Sequence, residues 1–423
     1  MQPEQGAATP SFESESHRIP VPFLDLARSH RPLRDQIVEA LARVCDSGAF
    51  VLGPEVEHLE RILAQYCHCE HAIACASGSD ALLLALMALG IGPGDEVIVP
   101  SFTFFATASA VTRLGAKPVF ADIDPATYNI SPREVARLIH KNTKAIIPVH
   151  LFGQAAEMEP ILRLAQQHHI FVIEDAAQSI GAEYHQRRVG SLGQIGCFSF
   201  YPTKNLGAMG DAGMITTHDA ELAEKLRVLR VHGMKPRYYH HWIGINSRMD
   251  AFHAATLLVK FNCLETWIAE RQQIADRYYQ LFAEYKLAQV ILPQVLPGRR
   301  HVWNQFVIRI PHGQRDSLRT YLQERRIGTE IYYPLGLHEQ ACFQDLGYAP
   351  SDLPATFAAS REVLALPIFP GLTSDEQRAV VAAIAEFFKN HPPRIQVGQP
   401  YFLKHPATLR GMRQASVSKG EAD

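Results

Sequence analysis

From about residue 70 to residue 230 the chain alternates short, unbroken apolar runs with amphipathic helical stretches. The segments 71–77 (HAIACAS), 95–101 (DEVIVPS), 117–123 (KPVFADI), 144–153 (KAIIPVHLFG) and 170–178 (IFVIEDAAQ) read as strands. Between them, 80–90 (DALLLALMALG), 103–115 (TFFATASAVTRLG), 131–141 (SPREVARLIHK) and 157–169 (EMEPILRLAQQHH) read as helices. Strands that alternate with helices need crossover connections, which give a mostly parallel sheet with helices on both faces. Runs that are apolar throughout, with no in-out alternation, fit strands buried on both sides. The expected fold class is therefore α/β.

After Gly244 the character changes. Residues 249–285 run without glycine or proline and read as one long helical stretch, long enough to link two units. Beyond it, 302–310 (VWNQFVIRI), a helix near 315–326, 328–334 (GTEIYYP) and a closing helix at 374–391 suggest a smaller α+β domain. The expected organisation is a disordered lead-in at 1–20, a large α/β domain at 21–265, a small domain at 266–392 and a flexible tail at 393–423.

Composition narrows the function classes. Forty-one basic and 43 acidic residues leave a formal net charge of −2, which gives no electrostatic reason to expect nucleic acid or an anionic membrane as partner. No apolar run approaches the roughly 20 residues of a membrane helix, and 1–20 lacks the apolar core of a signal peptide. Seven scattered cysteines suggest reduced thiols in a cytoplasmic protein. The CHCEH run at 67–71 resembles metal-ligand material but has no second cluster at ligand spacing, so no metal is expected.

Chemistry concentrates at the ends of the expected strands, where ligands of open α/β sheets bind. Ser77, Gly78 and Ser79 lie between a strand and a helix, where free N–H groups suit a phosphate; a plain helix cap is the commoner use of such residues. Asp175 is delivered at a buried strand end with Gln178 one turn on, as a partner for a protonated pyridine nitrogen and a ring oxygen, or as an ordinary cap or ion-pair member. Phe104 stands at a strand-to-helix turn, where it would stack on a flat ring or, more commonly for such a residue, fill the core. In 197–213 (CFSFYPTKNLGAMGDAG), Ser199 ends a strand and Lys204 follows five residues later, before a glycine-rich run. Burying a lysine is costly and lowers its pKa, which makes sense if the amine is to react. Phosphate cradle, aspartate, aromatic and lysine at successive strand ends are the parts of a pyridoxal 5'-phosphate site.

With these residues in place, the chain resembles the sugar-nucleotide aminotransferases of the DegT/DnrJ/StrS family, which have the fold type I, aspartate aminotransferase-like architecture. The resemblance rests on VLGPEVEHLE, SGSDAL, GDEVIVPSFTFFATASAV, PVHLFGQ, IEDAAQSIGA, FSFYPTKNLGAMGDAG and GINSRMD, and extends from residue 22 to 373. It implies Lys204 as the Schiff-base lysine and proton shuttle, Asp175 on the pyridine nitrogen, Gln178 on the 3'-oxygen and Phe104 on the ring. Gly78, Ser79 and Ser199 would bind the phosphate. Asn246 of GINSRMD would reach the phosphate of a partner subunit, which implies a homodimer with a shared active site. Gly336 stands where proline is frequent in the family.

The implied reaction is transfer of an amino group from L-glutamate to a nucleotide-linked keto sugar. Ser247 and Asp250 resemble members that act on 3-keto rather than 4-keto sugars. Arg237, Tyr239 and His240 in RYYHHWIG, and His338 in GLHEQ, are candidate substrate contacts or ordinary loop residues. Rival readings are a dehydratase of the same family, which usually has histidine where Lys204 stands, a relative acting on amino acids, and a regulatory protein that binds without turnover.

Overall fold

The computed structural model describes residues 19–392, so the expected tail at 393–423 and nearly all of the lead-in at 1–20 lie outside the described residues. Seven strands form the main sheet: β1 (His71–Cys75), β2 (Glu96–Pro100), β3 (Lys117–Ala121), β4 (Thr143–Ile146), β5 (Phe171–Asp175), β6 (Ile195–Ser199) and β7 (Gly213–Thr217). Their order is β1-β7-β6-β5-β4-β2-β3. Neighbours from β6 across to β3 are parallel, and β7 runs antiparallel to both β6 and β1. The expected mostly parallel α/β sheet is present. Strand β7, GMITT, is the element the sequence reading passed over, because it directly follows the glycine-rich loop.

Side chains alternate between two apolar layers even though the strands are apolar throughout. Ile73, Val97, Val99, Ile173 and Ile215 face a layer covered by Gly78–Ala88, Ala106–Arg113 and Ala220–Leu229. Ala72, Ile98, Val172, Phe198 and Met214 face the other layer, with Pro54–Tyr66 and Met158–His168. Helix Gly78–Ala88 is buried almost all round, which explains why its sequence is apolar rather than amphipathic.

The long helical stretch is two helices. Ala251–Phe261 ends at Asn262, and Leu264–Glu284 starts after Cys263, whose N–H still donates to the Lys260 carbonyl at 3.0 Å. No glycine or proline marks the break. It lets the first helix pack on Arg34–Ser47 and Pro54–Tyr66 while the second turns to Ser374–Asn390. A third apolar layer holds Ile274, Tyr278, Trp303, Phe306, Leu366, Val380 and Phe387. There Phe306–Arg309 pairs antiparallel with Val363–Leu366. Among the described residues no helix is long and apolar enough to cross a membrane.

Candidate active site

Strand register assembles the site. Gly213 of β7 lies opposite Cys75 of β1 on one side and Ser199 of β6 on the other, and Asp175 of β5 lies opposite Cys197 of β6. The C-terminal ends of β1, β6 and β5 and the first residue of the antiparallel β7 are thereby lined up, and the loops after β1, β6 and β5, the second of which leads into β7, share one rim.

At the first loop Ser77 caps the helix Gly78–Ala88, its Oγ accepting from the Asp80 N–H at 3.1 Å. The capping use foreseen for this serine is thus real, and Gly78 and Ser79 occupy the helix's first turn. A Cβ on Gly78 would stand 2.6 Å from Ser199 Cβ, and one on Gly213 would stand 2.4 Å from the Ser77 carbonyl oxygen. Only glycine lets the helix N-terminus come this close to the end of β6. Ser199 is half-buried and its Oγ accepts from the Tyr201 N–H at 3.3 Å.

Asp175 is 5% exposed. Its Oδ2 accepts from Thr107 Oγ1 at 2.8 Å and its Oδ1 from the Ala177 N–H at 3.2 Å. No lysine, arginine or histidine of the described residues forms an ion pair with it, and burial raises its pKa against the pull of Thr107, Ala177 and the more distant Lys204 and His150. Lys204 is half-buried on the loop after β6; burial lowers its amine from the ordinary 10.5 to about 8, opposed by the charge of Asp175. A buried carboxylate without a cation, facing a lysine drawn towards its neutral form, is an unbalanced pair. A protonated heterocyclic nitrogen with an aldehyde would complete both, and a small anion would complete the helix N-terminus beside Ser199. The residues therefore fit pyridoxal 5'-phosphate.

Gln178 is buried, its Oε1 accepting from the Phe152 N–H at 2.7 Å and its Nε2 donating to Tyr333 Oη at 3.2 Å. The Tyr333 ring lies 6.4 Å from that of Phe104. Phe104 is 57% exposed, so the core-filling use of this residue is excluded; Phe102, two residues earlier, fills the core instead.

Other expected residues stand apart. Asn246 is exposed, while its neighbour Ser247 is buried and accepts from the Ala76 N–H at 3.1 Å. Arg237 and Tyr239 lie on an exposed loop; the Arg237 guanidinium sits 4.9 Å from the Tyr238 ring centre. His338 needs correction as a substrate contact. It is 2% exposed, its Nδ1 meets Ser101 Oγ at 2.6 Å, and a Cβ on Gly336 would press on its ring at 2.7 Å.

Three contributors escaped the sequence reading. Thr107 bonds Asp175 from a helix that looked merely apolar. Tyr333 approaches Gln178 from 155 positions away. Glu174, fully buried beside Asp175, accepts from the N–H groups of Gly190, Leu192 and Gly193 and from His150 Nε2 at 2.7–2.8 Å. Because His150 Nδ1 accepts from the Ala156 N–H at 3.0 Å, the ring proton lies on Nε2 and the imidazole is neutral. Only Glu174 carried a signal, as a second carboxylate at a buried strand end.

Comparison with known proteins agrees with this geometry. A protein of Geobacillus stearothermophilus named pleiotropic regulatory protein is 50% identical over 88% of this chain and 99% of its own length. A UDP-N-acetyl-3-dehydro-alpha-D-glucosamine 3-aminotransferase of Acidithiobacillus ferrooxidans is 44% identical over 86% of this chain and 96% of its own. The crystal structure of Streptomyces venezuelae DesV in complex with a ketimine intermediate superposes with a TM-score of 0.84 at 41% identity, covering 87% of this chain and 98% of that one. The DegT/DnrJ/EryC1/StrS aminotransferase family matches residues 32–385, and the chain belongs to that family.

Proposed function

We propose that this chain is a pyridoxal-phosphate-dependent aminotransferase that moves an amino group from L-glutamate to a nucleotide-linked 3-keto sugar. One observation carries the reading: Asp175, buried and without a cation among the described residues, ends β5 beside β6, the strand that leads into the loop of Lys204, whose amine is lowered to about 8. No side chain can accept and hand on an amino group by itself, and pyridoxal phosphate supplies, when bound, the electrophilic carbonyl and electron-withdrawing ring that do so. The 3-keto assignment is supported by the name of the Acidithiobacillus relative.

In this reading Asp175 keeps a proton on the ring nitrogen, held in place by Thr107 and the Ala177 amide. Gln178 offers its amide to the ring oxygen, and Phe104 covers the ring face. The first turn of the helix at Gly78 and Ser79, with Ser199, holds the phosphate. Lys204 would anchor the cofactor and, once released, would move a proton between the cofactor and the amino-bearing carbon, of the donor in the first half-reaction and of the sugar in the second. Its pKa near 8 leaves an appreciable neutral fraction at neutral pH to act as base. Asn246 reaches a partner's site, so the working unit is a homodimer, and Arg237 and Tyr239 meet the nucleotide sugar.

The regulatory name of the Geobacillus relative favours one rival, a protein that binds cofactor or sugar nucleotide without turnover. Absorption spectra separate the two. With pyridoxal phosphate added, wild type is expected to develop a band near about 410–430 nm that Lys204→Ala lacks, and L-glutamate should convert it to one near about 330 nm. A band that forms but ignores glutamate supports the rival; no Lys204-dependent band sinks the aminotransferase reading and leaves a protein that binds the sugar nucleotide without turnover. A panel of 3-keto and 4-keto nucleotide sugars then decides the ring position.

A further inference from the structure

Lys260 lies on the buried side of helix α1 (Ala251–Phe261) and is only 2% exposed. Burial lowers its amine from 10.5 to about 8, and among the described residues no carboxylate pairs with it. Its Nζ donates to the Gly207 carbonyl and lies 2.9 Å from His30 Nε2. An ammonium has only donors to offer, so His30 accepts through Nε2 and is neutral, in keeping with a pKa lowered by burial and by Lys260 itself. The Trp267 ring, centred 5.9 Å from Nζ, closes the remaining side.

Gly207 is three residues beyond Lys204. The loop between them has no slack. Ala208 N–H donates to the Phe200 carbonyl at 2.7 Å, and Lys204 N–H to that of Tyr201 at 2.9 Å. Gly207 is pressed so closely on the Pro202 carbonyl that a Cβ would stand 2.4 Å from its oxygen. A second tie, Asn205 Nδ2 to the Val302 carbonyl at 2.8 Å, holds the same loop from the other side. Displacing the Gly207 carbonyl therefore drags Pro202 and Lys204 with it. A buried ammonium without a counter-charge costs stability rather than adding it. Lys260 spends that cost on two contacts, and one of them is the backbone of this loop.

We propose that Lys260 is a positioning residue for Lys204: with His30 as its second partner, it holds the Gly207 carbonyl and so aims the Lys204 amine. The proposal rests on the reading of Lys204 given above. Its role is mechanical and reaches the chemistry only through the loop.

The test is Lys260→Met, which keeps the length and removes the donor. In the cofactor-free chain, amide hydrogen exchange of residues 205–208 is expected to quicken about ten-fold, the rest of the chain being unchanged. In the cofactor-loaded chain, kcat should fall about ten- to a hundred-fold with little change in KM for L-glutamate. The unfolding midpoint should hold or rise. Lys260→Gln, which retains an N–H donor, should recover part of both losses. His30→Leu should move them in the same direction, and it serves if Lys260→Met does not fold. Wild-type loop exchange and wild-type kcat in Lys260→Met would overturn the proposal. So would faster exchange throughout the chain with a lowered midpoint, which marks a purely structural lysine. Failure of wild type to form the Lys204-dependent band would instead remove the reading of Lys204, and this proposal with it.

Discussion

Two side chains with opposed electrostatic tendencies set the chemistry at the residue scale. Burial favours the neutral amine of Lys204, so between about 8 and 10.5 the folded chain binds fewer protons than the unfolded chain, and stability rises with pH across that window. The neutral amine is also the nucleophile. The rate at which the cofactor-free chain takes up pyridoxal phosphate should thus climb with pH and level off above about 8. Stopped-flow absorbance reads it, and a midpoint near 10.5 would count against a buried reactive lysine. Asp175 has the opposite sign. Its raised pKa means the folded chain binds the extra proton, and stability falls as pH climbs from 3.8 towards the raised value. Asp175→Asn should therefore leave the cofactor-free unfolding midpoint unchanged or higher while lowering kcat by about a hundred-fold or more. A large drop in midpoint would make the carboxylate structural.

At the scale of elements, the site depends on a helix N-terminus packed tightly on a strand end. Gly78→Ala forces a methyl group to within 2.6 Å of Ser199 Cβ, which should cost about 1–3 kcal/mol and weaken cofactor affinity. Gly92→Ala, where a Cβ meets nothing within 4 Å, is the control and should change neither. Titration calorimetry and thermal unfolding read the pair; equal behaviour of the two variants would dissolve the packing argument. The buried Glu174 is the staple of β5. Glu174→Gln presents an amide to three backbone N–H groups and His150, and should lower stability by about 3 kcal/mol, measurable by urea unfolding. A variant as stable as wild type would mean that the four bonds are dispensable.

For the whole molecule, the loop before Asn246 exposes more apolar surface than a lone chain has reason to keep: Tyr238 is 73% exposed, Tyr239 68%, Trp242 45% and Ile243 93%. The proposed shared-site homodimer would account for that surface. Mixing Lys204→Ala with Asn246→Ala chains under exchange conditions should then restore about a quarter of wild-type activity, since half the dimers are mixed and each holds one intact site. No recovery beyond what Asn246→Ala alone retains would place Asn246 in its own chain's site, or in none. Sedimentation of Ile243→Asp should show single chains where wild type shows pairs.

The alternation of apolar runs and helices was enough to specify the α/β sheet, because parallel strands buried on both faces must be apolar throughout and need helical crossovers. Lys204, Asp175, Ser199 and Gly78 could be singled out because costly or permissive residue types stand at strand ends, a local pattern. Tertiary structure alone decided which of the candidates meet. The register of β1, β7 and β6 brings Gly78 against Ser199, while Thr107 and Tyr333 reach Asp175 and Gln178 from distant positions with no local mark. It also divided the long helix at Asn262, exposed Phe104 and enclosed His338. Periodicity records which side of an element is buried. Which neighbour buries it depends on contacts between residues far apart in the chain, and these exist only once the layers have packed.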